Sequence, residues 1–367
     1  MQKMIRPQYG HNTLADVMPA MLGMGVAAGL PLDGSQLQGS APRVLLVLDG
    51  LGWNQLQDRP HIAPNLTAMK GGPITSVAPS TTATALTSLT TALSPGEHGI
   101  VGYRFVMDGE VLNSLRWSTP KFGDARRRLL PRALQPHEPF LSESVAVVTR
   151  SEFRESGFTG AHLRGANIYP YRTLGTLVQG VDDAVQAGAY FVYAYYDGLD
   201  KVAHEFGLSA AYDTELAFID RLVSDIAARL PDGVHLYVTA DHGHVDCGDN
   251  MIPIDRQVLR YTRQLSGEGR FRWLHTKSGQ RRELEQAATD HHGDDAWVCS
   301  IDQVLDERWF GKDVSAEILS RLGDVALVAR NPVAFEDPDD NGHLRLIGRH
   351  GSLTADEMLV PMLTLSE

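Results

Sequence analysis

Short runs of β-branched and aromatic residues recur along the chain at 44–48, 74–77, 145–149, 191–195 and 235–239. Helix-like stretches lie between or after them at 174–187, about 201–206 and 211–230. Strands alternating with helices admit few architectures, because each apolar strand must be covered by something. The pattern predicts an α/β fold, a doubly wound and mostly parallel sheet with helices on both faces. Ligands in such sheets settle beyond the carboxyl ends of the strands, which directs attention to the residues just after each run.

With 367 residues, 43% hydrophobic and 21% charged, the chain can bury one large core and still carry an insertion. A disordered or fibrous class is excluded by that composition. The net charge of -12 opposes an anionic polymer, so no nucleic-acid scaffold is expected. Cys247 and Cys299 make neither a disulfide framework nor a CxxC pair, which predicts a reducing compartment, by default the cytoplasm. The apolar stretch 17–32 is edged by Asp16 and broken by Pro19 and glycines, while Leu14, Val17, Met18, Met21 and Leu22 share one helical face. It reads as a core-packed helix, and no run reaches the ~18 apolar residues of a membrane span. From Asp246 to Gly348 charge rises and long strand runs vanish. An inserted cap-like subdomain is expected over 246–348, with the core formed by 1–245 and 349–367.

Five motifs carry polar groups to the strand ends. Asp49 closes VLLVLDG, where a rigidly held carboxylate can ligate a cation, although a turn-forming Asp-Gly is common. APSTTATALTSLTTALSPGEHG puts hydroxyls at a helix start, where free amides stabilise an alkoxide or a phosphoryl group. Ordinary N-capping by Ser80, Thr81 or Thr82 is the plainer account of it. In YYDGLDKVAHEFG, Asp200 and His204 are four apart and project from one helix face, whereas Asp197 is out of step. VTADHGHVD ends a buried run with Asp241 and His242, and reads His244 and Asp246 as supporting or surface residues. His350 stands in RHGSLTADEMLVPML. Together three carboxylates and three histidines make an oxygen and imidazole set suited to two divalent ions, Zn²⁺ first and Mn²⁺ as the alternative.

The ordered pattern of Asp49, a Thr before an Ala-rich helix followed by SPGEHGI, DxxxH, ADHG and a distant HG resembles the alkaline phosphatase superfamily, and within it the nucleotide pyrophosphatase/phosphodiesterase branch. The resemblance runs from about residue 43 to 364. It implies one metal held by Asp49, Asp241 and His242, with Thr82 bridging towards it as nucleophile, and a second held by Asp200, His204 and His350. Thr81 is the rival nucleophile, and His98 takes a structural place in the HGI turn. The implied reaction is hydrolysis of a small phosphate ester or nucleotide through a phosphothreonine. Phosphomonoesterase and phosphonate hydrolase activities remain as alternatives, together with a catalytically silent metal-binding protein. The branch's usual Asn after HGI is replaced by Tyr103, a phenol that can also donate to a phosphate oxygen. Ala83 follows Thr82, so no arginine sits beside the nucleophile, though Arg104 or Arg116 could fold in to bind a dianion.

Overall fold

The computed structural model describes residues 3–25, 27–32, 34, 37, 41–340 and 346–365. Val26 of the apolar stretch and residues 341–345 of the expected insertion lie outside the described residues.

Seven strands form the central sheet: β1 Arg43–Leu48, β2 Lys70–Thr75, β3 Ala146–Arg150, β4 Asn167–Tyr171, β5 Phe191–Tyr196, β6 His235–Thr239 and β7 Leu359–Thr364. Their order is β2-β7-β6-β1-β5-β3-β4. Strands β6, β1, β5, β3 and β4 run parallel, and β7 pairs antiparallel with both β6 and β2. Every residue of β1 and of β5 is buried, as strands covered on both faces must be. The helix Leu174–Gln186 buries Leu177, Val178, Val181 and Ala184 along one stripe and leans on β3, β4 and β5. Helices Gly198–Phe206 and Ala210–Ala227 follow β5. The first apolar stretch forms only a 3-10 turn Leu14–Asp16 and a short helix Val17–Met21, packed against the helix Thr82–Thr91. Among the described residues no helix is long and apolar enough to cross a membrane.

The expectation that strands vanish after Asp246 is corrected. Thr262–Glu268, Phe271–Thr276, Val325–Ala329 and Ala296–Ser300 form a four-stranded antiparallel sheet. Its faces divide with the period of two that strands impose. Leu274, Val325, Leu327 and Ala329 join a local core with Val258 and Leu284, while Phe271, Trp273, Ala326 and Val328 join the main core. The charges that disguised these strands are partly internal: Arg270 makes a two-pronged pair with Glu357 at 2.7 and 2.8 Å, and Arg272 faces Asp337 at 3.4 Å. The segment is clasped at its neck, where Val245 pairs with Arg349 and Asp246 with Gly348. A second small sheet, built from Arg104–Met107, Glu110–Asn113, Ser118–Thr119 and Gly123–Asp124, was not foreseen either. It carries Tyr103 and Arg116 towards the strand ends.

Candidate active site

The register of the sheet creates the first half of the site. Val47 of β1 lies beside Thr239 of β6, so two residues further on Asp49 and Asp241 emerge side by side. Gly50, at φ +80°, turns the chain away and donates its amide to Asp241 Oδ1 at 3.2 Å. A Cβ there would come within 2.8 Å of His244 Nε2, so the turn requires glycine for space as well as for conformation. Tyr195, next to β1 on β5, donates its phenol to Asp49 Oδ2. His242 Nε2 then stands 3.3 Å from Asp49 Oδ1, 3.4 Å from Asp241 Oδ2 and 3.1 Å from Thr82 Oγ1.

The second half is assembled from a helix and from the chain's return after the insertion. Asp200 and His204 share a face of Gly198–Phe206, 3.2 Å apart from Oδ1 to Nε2. His350 Nε2 is 3.9 Å from the same oxygen. The rings of His242 and His350 stack at 3.5 Å, which joins the two halves. Among the described residues, three groups of ligand atoms are close enough to share an ion: Asp49, Asp241 and His242; Asp200, His204 and His350; and Asp200, His242 and His244.

His244 is the residue whose part was underrated. It is fully buried, with Nε2 2.9 Å from Asp200 Oδ1. The only signal for it was its place two residues after His242, and nothing in that spacing says that the chain folds it back onto Asp200. Asp197 is occupied elsewhere, with Arg150 at 3.0 Å and Lys201 at 2.6 Å. His98 is buried against Ser88 at 2.9 Å.

These donors fit divalent cations on two observations. Asp49 Oδ1 and Asp241 Oδ2 are buried with no hydrogen-bond partner among the described residues. The histidines turn Nδ1 to backbone carbonyls, His204 to Gly348 at 2.8 Å and His350 to Ser80 at 3.0 Å, which fixes the tautomer that leaves Nε2 as a lone pair. Electrostatics agree. Burial, then the charges of Asp241 and Asp200, push the Asp49 carboxyl well above its usual range, and burial with Asp200 raises Asp241 to about 7. Burial also lowers His242 to about 3. For Asp200, burial acts upward but His204, His244 and His350 outweigh it and hold the carboxyl well below its normal value.

Thr82 is the first residue of the helix Thr82–Thr91, with Thr81 as its N-cap. Thr82 faces His242, whereas the Thr81 hydroxyl bonds to the buried Glu268. Two cavities meet at Thr82. One, of about 230 Å³, is walled by Leu86, Leu115, Phe153, Phe158, Tyr193 and Tyr195. The other, of about 710 Å³, is polar and lined by Tyr103, Arg116, Glu268, His204, Arg349 and His350 among others. Tyr103 is half-buried with its hydroxyl engaged by Asn113, and burial raises its pKa. Arg104 is committed to Asp337 at 2.7 Å and Asp340 at 3.4 Å, which leaves Arg116 as the arginine of that hairpin at the chamber. Glu268 and the aromatic wall were not anticipated, since both depend on loops whose course the motifs do not specify.

Solved structures share this fold. Murine ectonucleotide pyrophosphatase/phosphodiesterase 5 aligns with 16% identity over 88% of this chain and 87% of its own, with a TM-score of 0.68. The human protein of that name aligns at 18% over 88% and 87%, TM-score 0.66. Phosphonoacetate hydrolase from Sinorhizobium meliloti 1021 aligns at 16% over 89% and 90%, TM-score 0.63. No curated protein sequence matches the chain. The family model for type I phosphodiesterase/nucleotide pyrophosphatase matches residues 43–353, a span that opens on β1 and its Asp49 and closes just past His350. The chain therefore belongs to the type I phosphodiesterase/nucleotide pyrophosphatase family of metal-dependent hydrolases that cleave phosphoric ester and pyrophosphate bonds.

Proposed function

We propose that this chain is a two-metal phosphodiesterase or nucleotide pyrophosphatase that works through a phosphothreonine at Thr82. The observation that carries the reading is the position of Thr82 Oγ1, 3.1 Å from His242 Nε2 at the meeting of the two ligand groups. Asp49, Asp241 and His242 would hold one ion together with Thr82, and Asp200, His204 and His350 the other, with Zn²⁺ favoured and Mn²⁺ the alternative. When bound, the pair supplies Lewis acidity that favours the Thr82 alkoxide and neutralises the phosphoryl oxygens.

The protein's own groups do the rest. Oγ1 of Thr82 attacks phosphorus as its proton leaves to solvent, the Oγ–P bond forms, and the bond to the ester oxygen breaks with its electron pair. Water then cleaves the phosphothreonine and restores the hydroxyl. The amides of the first helical turn face the phosphoryl group. Tyr195 holds Asp49, and the carbonyls of Gly348 and Ser80 hold the two imidazoles in register. Tyr103, in the chamber wall, would donate to a phosphoryl oxygen. A small nucleotide suits the apolar cavity beside Thr82, whose Phe153 and Phe158 can cover a flat organic group. An inactive threonine-to-alanine form of the murine relative has been solved in complex with AMP, which supports both the nucleophile type and the ligand class.

The test is a panel of nucleotide, diester, monoester and phosphonate substrates on metal-loaded protein, with acid-quenched samples analysed for phosphate on Thr82. Bis-p-nitrophenyl phosphate should be cleaved more efficiently than p-nitrophenyl phosphate. A preference for the monoester moves the chain to the phosphatase alternative, and turnover that survives complete metal removal refutes the mechanism.

A further inference from the structure

We propose that the polar chamber of about 710 Å³ is a subsite for a second anionic group of the substrate, a phosphate or carboxylate beyond the phosphorus attacked, gripped by Arg116 and Arg349. This deepens the phosphodiesterase reading and rests on it.

Most charges lining the chamber cancel one another. Arg270 is spent on Glu357 at 2.7 Å, and Arg272 shares Asp337 with Arg104, at 3.4 and 2.7 Å. Asp340 is answered by Arg104 at 3.4 Å. Glu268 is turned to Thr81 and lies 4.0 Å from His350. Arg116 makes no ion pair among the described residues, and its recorded hydrogen bond uses the backbone amide, to Asn113. Arg349 donates Nε to the carbonyl of Leu346 at 3.2 Å and makes no ion pair among the described residues. Glu336, which is exposed, Asp200, which His244 meets at 2.9 Å, and Glu268, whose Oε1 has no hydrogen-bond partner among the described residues, are the acids without an arginine of their own.

Two details indicate that the arginines are arranged around this space. A Cβ on Gly269 would sit 3.1 Å from a terminal nitrogen of Arg349, which places that guanidinium close against the chamber's backbone wall. Arg116 comes from the small sheet and Arg349 from the neck of the insertion, so they approach from different segments. A guanidinium pairs with phosphate or carboxylate through two parallel hydrogen bonds. The opposite cavity offers no such grip, because its one lysine, Lys201, is tied to Asp197 at 2.6 Å. A substrate with an organic end and an anionic end is therefore oriented by the two cavities.

The test compares Arg116→Ala and Arg116→Lys with the parent protein on a nucleoside triphosphate and on bis-p-nitrophenyl phosphate, which has no second anion. Arg116→Ala should lower the ratio of kcat/KM for the triphosphate over the diester about tenfold or more, the loss expected for one charged hydrogen-bonded contact, and Arg116→Lys should recover part of it. Calorimetry of inorganic pyrophosphate and of phosphonoacetate binding, which needs no turnover, separates this proposal from the catalytic one. If no ester is cleaved yet Arg116→Ala weakens either ligand, the subsite stands and the catalytic reading fails. The tighter of the two ligands assigns phosphate or carboxylate. An unchanged efficiency ratio together with unchanged ligand binding overturns the subsite.

Discussion

The two ligand groups contain the same kinds of residue, yet they are built in opposite ways. Asp49, Asp241 and His242 are sealed at the tips of adjacent strands, with exposures of 2%, 0% and 0%. Two of their carboxylate oxygens are unpartnered among the described residues and both acids are pushed upward by burial, Asp49 also by Asp241 and Asp200, and Asp241 by Asp200. Asp200, His204 and His350 come from a helix and a returning loop, and there one carboxylate is surrounded by imidazoles and held low. The first group is an electrostatic gap that a proton or a metal cation must close. In the second, the His244 imidazole already meets the Asp200 carboxylate at 2.9 Å before any ion arrives. Rigidity at strand ends thus coincides with the strongest demand for charge, and Thr82 stands on that side.

The comparison can be broken most sharply at Thr82. Thr82→Ala should lower turnover by about 10⁴-fold or more, the scale of losing a nucleophile, while circular dichroism and metal content stay near the parent values. Chelation should also abolish turnover, and re-addition of Zn²⁺ or Mn²⁺ should restore it, with thermal unfolding raised by the bound ions. His244→Ala strikes only the second group. It should weaken binding of one ion about 10- to 100-fold, as loss of a residue that orients a ligand does, so in a metal titration one step should move to higher concentration while the other stays near its parent position.

A subtler difference is visible in chelated protein. Asp241 in the folded state titrates at about 7, far above an unfolded aspartate near 3.9. Between those values the native state holds the proton that the unfolded chain has lost, so this group's contribution to stability is full below about pH 4 and is lost as pH rises to about 7. Denaturant midpoints of the chelated protein should show that decline, and Asp241→Asn should flatten it. Asp200→Asn should instead destabilise the chelated protein, because it removes the anchor of His204 and His244. If both asparagine variants shift stability in the same direction, the contrast between the groups is wrong. The smallest effect is expected of Thr81→Ala, which gives up the hydroxyl's contact with Glu268 and no side-chain cap, at about 1 kcal/mol of stability with turnover largely kept. A dead Thr81 variant would move the nucleophile by one residue.

Much of this arrangement is legible in the residues alone, for a physical reason. Strands β1, β5 and β6 are continuous apolar runs, and a polar residue just past such a run must emerge at the sheet edge. The helices expected at 174–187 and 211–230 form at Leu174–Gln186 and Ala210–Ala227. Strand β4 escaped because Pro170 interrupts NIYPY, a residue tolerated there since the strand lies at the sheet's edge. The insertion's strands escaped because Arg270 and Arg272 look like solvent-facing charges until Glu357 and Asp337, distant in sequence, come to meet them. His244, Glu268 and Arg116 depend on the same kind of long-range meeting.

The clasp at the insertion's neck has a consequence for design and descent. Because Val245 and Asp246 pair directly with Arg349 and Gly348, the chain leaves and re-enters the core at one point, three residues after His242 and one before His350. Loop-closure cost grows only slowly with length. A segment of another size could therefore be exchanged between those two rungs provided that it also covers the core surface that Phe271, Trp273, Ala326 and Val328 now fill and answers the buried Glu357, so that the wall facing the substrate and the packing behind it are rewritten together.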